Sequence, residues 1–106
     1  MYATVRCYRL DEGDMDEAMH RVDAEFADRL AREPGFVAYE CIRTGDDGLC
    51  TVTICREEAA TERSNELAAE FVRDSLSDMK FTRTDMMGGE VQVSRAEREV
   101  LEPAHH

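Results

Sequence analysis

The chain has 106 residues, and 24 Asp and Glu against 13 Lys and Arg leave a formal net charge of −11. That length suits one domain with a single core, and that charge argues against nucleic acid and anionic membrane surfaces as partners, since both need a basic face. No run approaches the ~20 apolar residues of a membrane-crossing helix, and residues 1–10 lack the basic start and apolar run of a secretory leader, so a cytoplasmic address is expected.

Residues 2–10 are rich in aromatic and β-branched types and predict a strand that stops at Asp11-Glu12-Gly13. Asp14 then suits a helix N-cap, with Glu17 three residues on as an acidic form of the capping box. Met15, Met19, Val22, Phe26 and Leu30 step by three and four and form one apolar stripe, which Pro34-Gly35 ends. Residues 36–43 and 49–56 read as two strands joined by the turn Gly45-Asp46-Asp47-Gly48, a hairpin. A second helix is expected to start between Glu57 and Thr61. Leu67, Ala68, Phe71, Val72 and Leu76 are its apolar stripe, and it frays near Ser77-Asp78. Met86-Met87-Gly88-Gly89 reads as a loop into a fourth strand from Glu90 to about Arg95. A domain over residues 1–96 and a tail over 97–106 follow, and the closing His105-His106 is either native or a tag remnant.

The order βαββαβ predicts an α+β, ferredoxin-like sandwich, with a four-stranded antiparallel sheet and two helices on one face. The strands then raise a problem. Ala3, Val5 and Cys7 oppose Tyr2, Thr4, Arg6 and Tyr8. Cys50, Val52 and Ile54 oppose Leu49, Thr51, Thr53 and Cys55. Val37, Tyr39 and Cys41 oppose Phe36, Ala38 and Ile42. A sheet with one wet face alternates apolar with charged residues, and neither face here does. The face without helices is therefore expected to be covered by a second copy, sheet to sheet, in a homodimer.

The opening strand Tyr2–Tyr8, the segment Arg32-Glu33-Pro34-Gly35-Phe36-Val37-Ala38-Tyr39-Glu40, and a strand over 51–56 running into an acidic helix start together resemble the antibiotic-biosynthesis-monooxygenase-like family of dimeric α/β barrels. The resemblance covers about residues 1–95. It implies a homodimer with a pocket between sheet and helices in each subunit. Some members oxidise aromatic polyketides without a cofactor and others degrade haem. The haem-degrading members use an Asn on the first strand, a Trp on the third and a His on the second helix. Arg6 and Cys55 stand at the first two positions, the second helix carries no His, and the chain has no Trp. The resemblance thus does not extend to haem chemistry.

Candidate site residues follow. Arg6 and Tyr8 share a strand face. On the family reading they enter the pocket, where Arg6 holds an anionic oxygen and Tyr8 donates a hydrogen bond. Read as surface, they are interface anchors. Asn65 could orient a substrate carbonyl or simply sit on a solvated helix face. Phe71 is a pocket-lining candidate that could also plug the space. His20 reads as a solvent-facing helix residue before a pocket base. Cys7, Cys41, Cys50 and Cys55 form no CxxC and read as buried free thiols, with Cys55 a pocket-lining candidate that is inert rather than reactive. Met15, Met19, Met79, Met86 and Met87 read as adaptable core or pocket lining. No metal or cofactor motif is present, and none is expected to be bound. Three readings are weighed: a non-catalytic module that binds or senses a small apolar or aromatic ligand, a cofactor-independent monooxygenase of a small aromatic or quinol, and a purely structural dimer whose pocket is plugged by side chains such as Phe71 and Met79.

Overall fold

The structure is a computed structural model and describes residues 1–97. Strand β1 is Tyr2–Glu12. Gly13 follows at φ +136°, where a Cβ would stand 2.7 Å from Met79 Cγ, so only glycine makes this turn cheaply. Asp14 Oδ1 accepts from the Asp16 and Glu17 backbone N–H groups, the N-cap read from the sequence. Glu17 does not complete a capping box and instead pairs with Arg21 one turn on.

Helix α1 spans residues 15–31 in three pieces: an α-helical turn pair Met15–Arg21, a π-helical stretch Val22–Ala27, and a last α-turn Asp28–Ala31. Strand β2 is Phe36–Arg43, β3 is Gly48–Cys55, helix α2 is Glu58–Ser75 and β4 is Lys80–Glu90. The sheet order is β2-β3-β1-β4 with every neighbouring pair antiparallel, the ferredoxin-like arrangement expected. Phe26 and Leu30 of α1 pack with Leu67 and Ala68 of α2 over Phe36 and Tyr39. A second cluster joins Leu10, Met15 and Leu49. Leu30 and Leu67 are each 1% exposed, and truncating such a side chain to Ala costs about 2–5 kcal/mol.

Three expectations are corrected. The fourth strand begins ten residues before the expected Glu90, and residues 91–97 lie outside regular structure. Phe81 anchors its start edge-on against Tyr8 at 6.4 Å. The glycines taken for a loop serve close strand approach: a Cβ on Gly88 would stand 3.1 Å from the Ala3 carbonyl oxygen. Met86 and Met87 consequently sit on an edge strand, 46% and 59% exposed, not in core.

The cysteines are the second correction. Cys7 and Cys50 are a directly opposed β1–β3 pair with Cα atoms 4.1 Å apart, and they form a disulfide; Cys41 and Cys55 are free. Strand register brings that pair together, and spacing along the chain carries no trace of it. Thirdly, Phe36 pairs with Cys55 and Ala38 with Ile54, so Val37 is an extra residue that turns Phe36 to the same face as Tyr39. Of the expected tail over 97–106, residues 98–106 lie outside the described residues. Among the described residues no helix is long and apolar enough to cross a membrane.

Candidate functional site

The helix-side face of the two central strands carries a polar row beside the buried Leu10, Leu49 and Cys55. Thr4 is 4% exposed, Arg6 2%, Thr51 5% and Thr53 0%. β1 and β3 run opposed with Arg6 against Thr51, which puts these side chains in one row under α2.

Arg6 is the centre of the row. Its Nη1 donates to Asn65 Oδ1 at 2.5 Å and its Nη2 to Thr53 Oγ1 at 3.1 Å. The Thr51 hydroxyl leans on the Arg6 carbonyl at 3.5 Å. Among the described residues no carboxylate pairs with Arg6. Burial is the main influence on the guanidinium and loosens its hold on its proton, and the charge of Arg83 acts in the same direction. An arginine stays charged even so. A buried cation with neutral partners alone carries a desolvation cost of several kcal/mol that no opposite charge offsets.

The other polar groups are donors, not bases. Burial pushes the Tyr8 phenol up, against the opposing pull of Arg6 and Arg83. Burial pushes Tyr39 up further, and Cys41 adds to that rise. Burial likewise raises Cys55, with Arg6 opposing, so its thiol stays protonated and weakly nucleophilic at neutral pH.

Between Arg6 and the helices lies a cavity of about 40 Å³, lined by Arg6 and Tyr8 among Phe26, Tyr39, Phe71 and Phe81. Phe26 meets Tyr39 at 5.4 Å and Phe71 at 5.3 Å between ring centroids. A cavity this small holds water, whereas one that takes up benzene is about 150 Å³. An aromatic ligand therefore enters only if these rings swing aside. Val22 and Phe26 reach the cavity from the π-helical stretch of α1, a distortion that recurs at functional sites.

The structure brings together three of the candidates: Arg6, Tyr8 and Phe71 line the cavity. Arg6 and Tyr8 face the helices, on the opposite side of the sheet from its uncovered face. Asn65 does not line the space. From α2 it accepts from the Arg6 guanidinium and so holds that group in place. Cys55 is buried beside Arg6 and also outside the cavity lining. His20 is exposed on α1. Thr53, Tyr39, Phe26 and Phe81 also belong to the site, and of these Thr53 has a signal in the sequence, the run of threonines on one face of β3. A wider open groove of about 710 Å³ lies between α1 and edge strand β2, floored by Ala24, Ala27 and Ala31. Among the described residues no three His, Cys, Asp or Glu side chains cluster as a metal site.

The fold is that of the dimeric ferredoxin-like proteins. No family model matches the chain, and no curated protein matches it. Among solved structures, SnoaB from Streptomyces nogalater, described as a cofactor-independent oxygenase, superposes with a TM-score of 0.68 at 19% identity over 91% of this chain and 97% of that one. A dimeric ferredoxin-like protein from an uncultured marine organism gives a TM-score of 0.68 at 12% identity over 91% and 98%. A protein from Nitrosomonas europaea described as a candidate antibiotic biosynthesis monooxygenase gives 0.64 at 21% identity over 88% and 100%. At these identities the likeness is one of fold, and it agrees with the resemblance read from the strand and helix motifs.

Proposed function

We propose that the cavity binds a small hydroxylated aromatic as its anion, with the ionised oxygen on Arg6, and that the protein passes the ligand's electrons directly to dioxygen, as a homodimer. The observation that carries this reading is the buried Arg6 guanidinium, held at a fixed angle by Asn65 and Thr53 and facing an apolar space without a counter-charge. A cation so placed lowers the pKa of a bound phenol, and an ionised, electron-rich ring is the form that reacts with oxygen. Fold neighbours that include a cofactor-independent oxygenase support the reaction class, and a dimeric neighbour supports the assembly.

For a dihydroxynaphthalene the reaction balances without another reductant. One oxygen atom of dioxygen becomes a ring carbonyl, the other leaves as water with two hydrogens of the substrate, and the substrate supplies all four electrons. Arg6 steadies the phenolate before and during electron transfer, and Tyr8 donates to the developing oxygen. With dihydroxynaphthalenes as probes, an oxygen electrode is expected to show saturable uptake that falls at least tenfold in Arg6→Met. A second reading, a binding module without turnover, is favoured by one observation: the titratable groups around the cavity are protonated donors, and none is placed to act as a base. Saturable binding that raises the melting temperature with no oxygen uptake above the buffer rate would decide for it. No binding by any naphthol would remove both.

A further inference from the structure

The cavity reading above is the footing for one step more. Arg83 of β4 stands directly opposite Tyr8 in the β1–β4 ladder, and Phe81, two residues before it, lines the cavity. Residues two apart on a strand share a face, so Arg83 lies on the helix side, at the solvent end of the row that starts with buried Arg6. The ladder passes from Cys7–Asp85 to Tyr8–Arg83, which leaves Thr84 as an extra residue between them. Bulges of this kind re-aim the side chains beside them. Asp85, on the far side of the bulge, pairs with Cys7 and belongs to the opposite face, so it does not neutralise Arg83.

Of the eleven arginines among the described residues, five have no carboxylate partner, Arg6, Arg32, Arg56, Arg83 and Arg95, and what sets Arg83 apart is its place opposite Tyr8 on the face that Arg6 shares. Arg9, Arg21, Arg29, Arg43, Arg63 and Arg73 each have a carboxylate partner. In a chain with 24 acidic residues, Arg83 and Arg6 have none among the described residues, and they stand near enough for their charges to act on one another. Two guanidiniums along one short row, one buried and one exposed, repel each other until an anion spans them.

We propose that Arg83 is a specificity residue that binds a carboxylate on the ligand, and that the ligand class is the aromatic hydroxy acids, with the hydroxyl on Arg6 at the closed end and the carboxylate on Arg83 at the open end. A guanidinium suits this task because its planar fork takes a carboxylate through two hydrogen bonds. The cation also counters the long-range repulsion that a net charge of −11 exerts on an acid.

The test compares 6-hydroxy-2-naphthoate with 2-naphthol, which share the ring and the hydroxyl and differ in the carboxylate. Dissociation constants are read by fluorescence for wild type, Arg83→Gln, Arg83→Lys and Arg6→Met. Wild type is expected to prefer the acid at least tenfold, less so as salt rises. Arg83→Gln brings the acid to within about threefold of 2-naphthol and leaves 2-naphthol itself unchanged within twofold. Arg83→Lys keeps part of the preference, because the charge remains and the fork is lost. Equal affinity of wild type for both compounds, or an Arg83→Gln loss shared equally by both, overturns the proposal. If 2-naphthol binds in an Arg6-dependent way with no preference for the acid, this inference alone fails. If wild type binds neither compound, the cavity reading fails with it.

Discussion

Each face of the sheet departs in its own way from what a half-solvated sheet presents. The face under the helices carries a buried polar row, Thr4, Arg6, Thr51 and Thr53, between the core residues Leu10 and Leu49 and the buried Cys55. The face without helices carries Ala3, Val5, Val52, Ile54 and the Cys7–Cys50 disulfide, all half-exposed, with Ile42 and Met87 more open at 49% and 59%. Stability alone would put the valines under the helices and the threonines outside, since burying apolar surface is the main driving force and burying polar groups works against it. Each departure has a separate reason. The polar inner row surrounds one charged side chain, and the apolar outer row is the surface on which the proposed dimer would close.

The largest expected effect attacks the outer face. Val52 sits at its centre, opposed by Val5 on one side and Glu40 on the other. Val52→Asp places an unpaired charge inside the proposed dimer contact and is expected to weaken association at least 100-fold, about 3 kcal/mol, by sedimentation. A wild type that sediments as monomer at micromolar concentration would remove the covered-face explanation, and a Val52→Asp protein that remains dimeric would move the contact elsewhere.

The inner face is next. Asn65→Asp gives Arg6 the counter-charge it lacks. The fold is expected to gain about 1 kcal/mol from a charge-assisted hydrogen bond, while affinity for 2-naphthol falls at least tenfold because the seat is taken. Opposite signs on stability and binding are the signature. Loss of both would mean that Asn65 supports packing and no more.

A smaller effect appears at high pH. Burial raises Tyr8 and Tyr39 above the usual tyrosine range in the folded state. A group raised on folding adds stability below its unfolded pKa, and that stability drains away as pH climbs through the folded value. The melting temperature is thus expected to fall above about pH 10, and Tyr39→Phe to flatten that fall. An unchanged alkaline slope in Tyr39→Phe would contradict the buried placement.

The smallest effect lies at the other end of the pH scale. Arg21 on α1 pairs with Asp78 at 2.7 Å and also reaches the Ser75 carbonyl, tying α1 to the end of α2. Hydrogen bonding from Arg21 lowers Asp78, so its contribution is present above the unfolded carboxylate pKa and is lost as pH falls through the folded one. Asp78→Asn is expected to lower the melting temperature slightly at neutral pH and to match wild type in acid. A constant offset at every pH would show that the pair is inert.

Much of the architecture was legible in the chain because local chemistry wrote it. The Asp14 cap, the Met15-to-Leu30 stripe, the Pro34-Gly35 stop and the Gly45–Gly48 turn are short-range signals. What escaped depends on register. Phe81 to Thr84 is as strand-like as any segment, yet the glycine pair 88–89 drew attention as a turn when it serves to let β4 approach β1. Cys7 and Cys50 are 43 residues apart and become partners only through the β1–β3 ladder. The site was half legible. Arg6 and Tyr8 stood out by type and alternation. The grip of Asn65 on Arg6 spans 59 residues, and the π-helical stretch that carries Phe26 inward has no reliable marker in the apolar spacing.

The most direct measurement is the proton count on binding. Calorimetry of 2-naphthol at pH 7, in buffers of different ionisation enthalpy, reports how many protons leave as the ligand is taken up. If Arg6 receives an anion, wild type releases close to one proton per ligand, and Arg6→Met releases none. Tight binding to wild type with no proton released would mean that the ligand enters neutral, and the unpaired guanidinium would need another explanation.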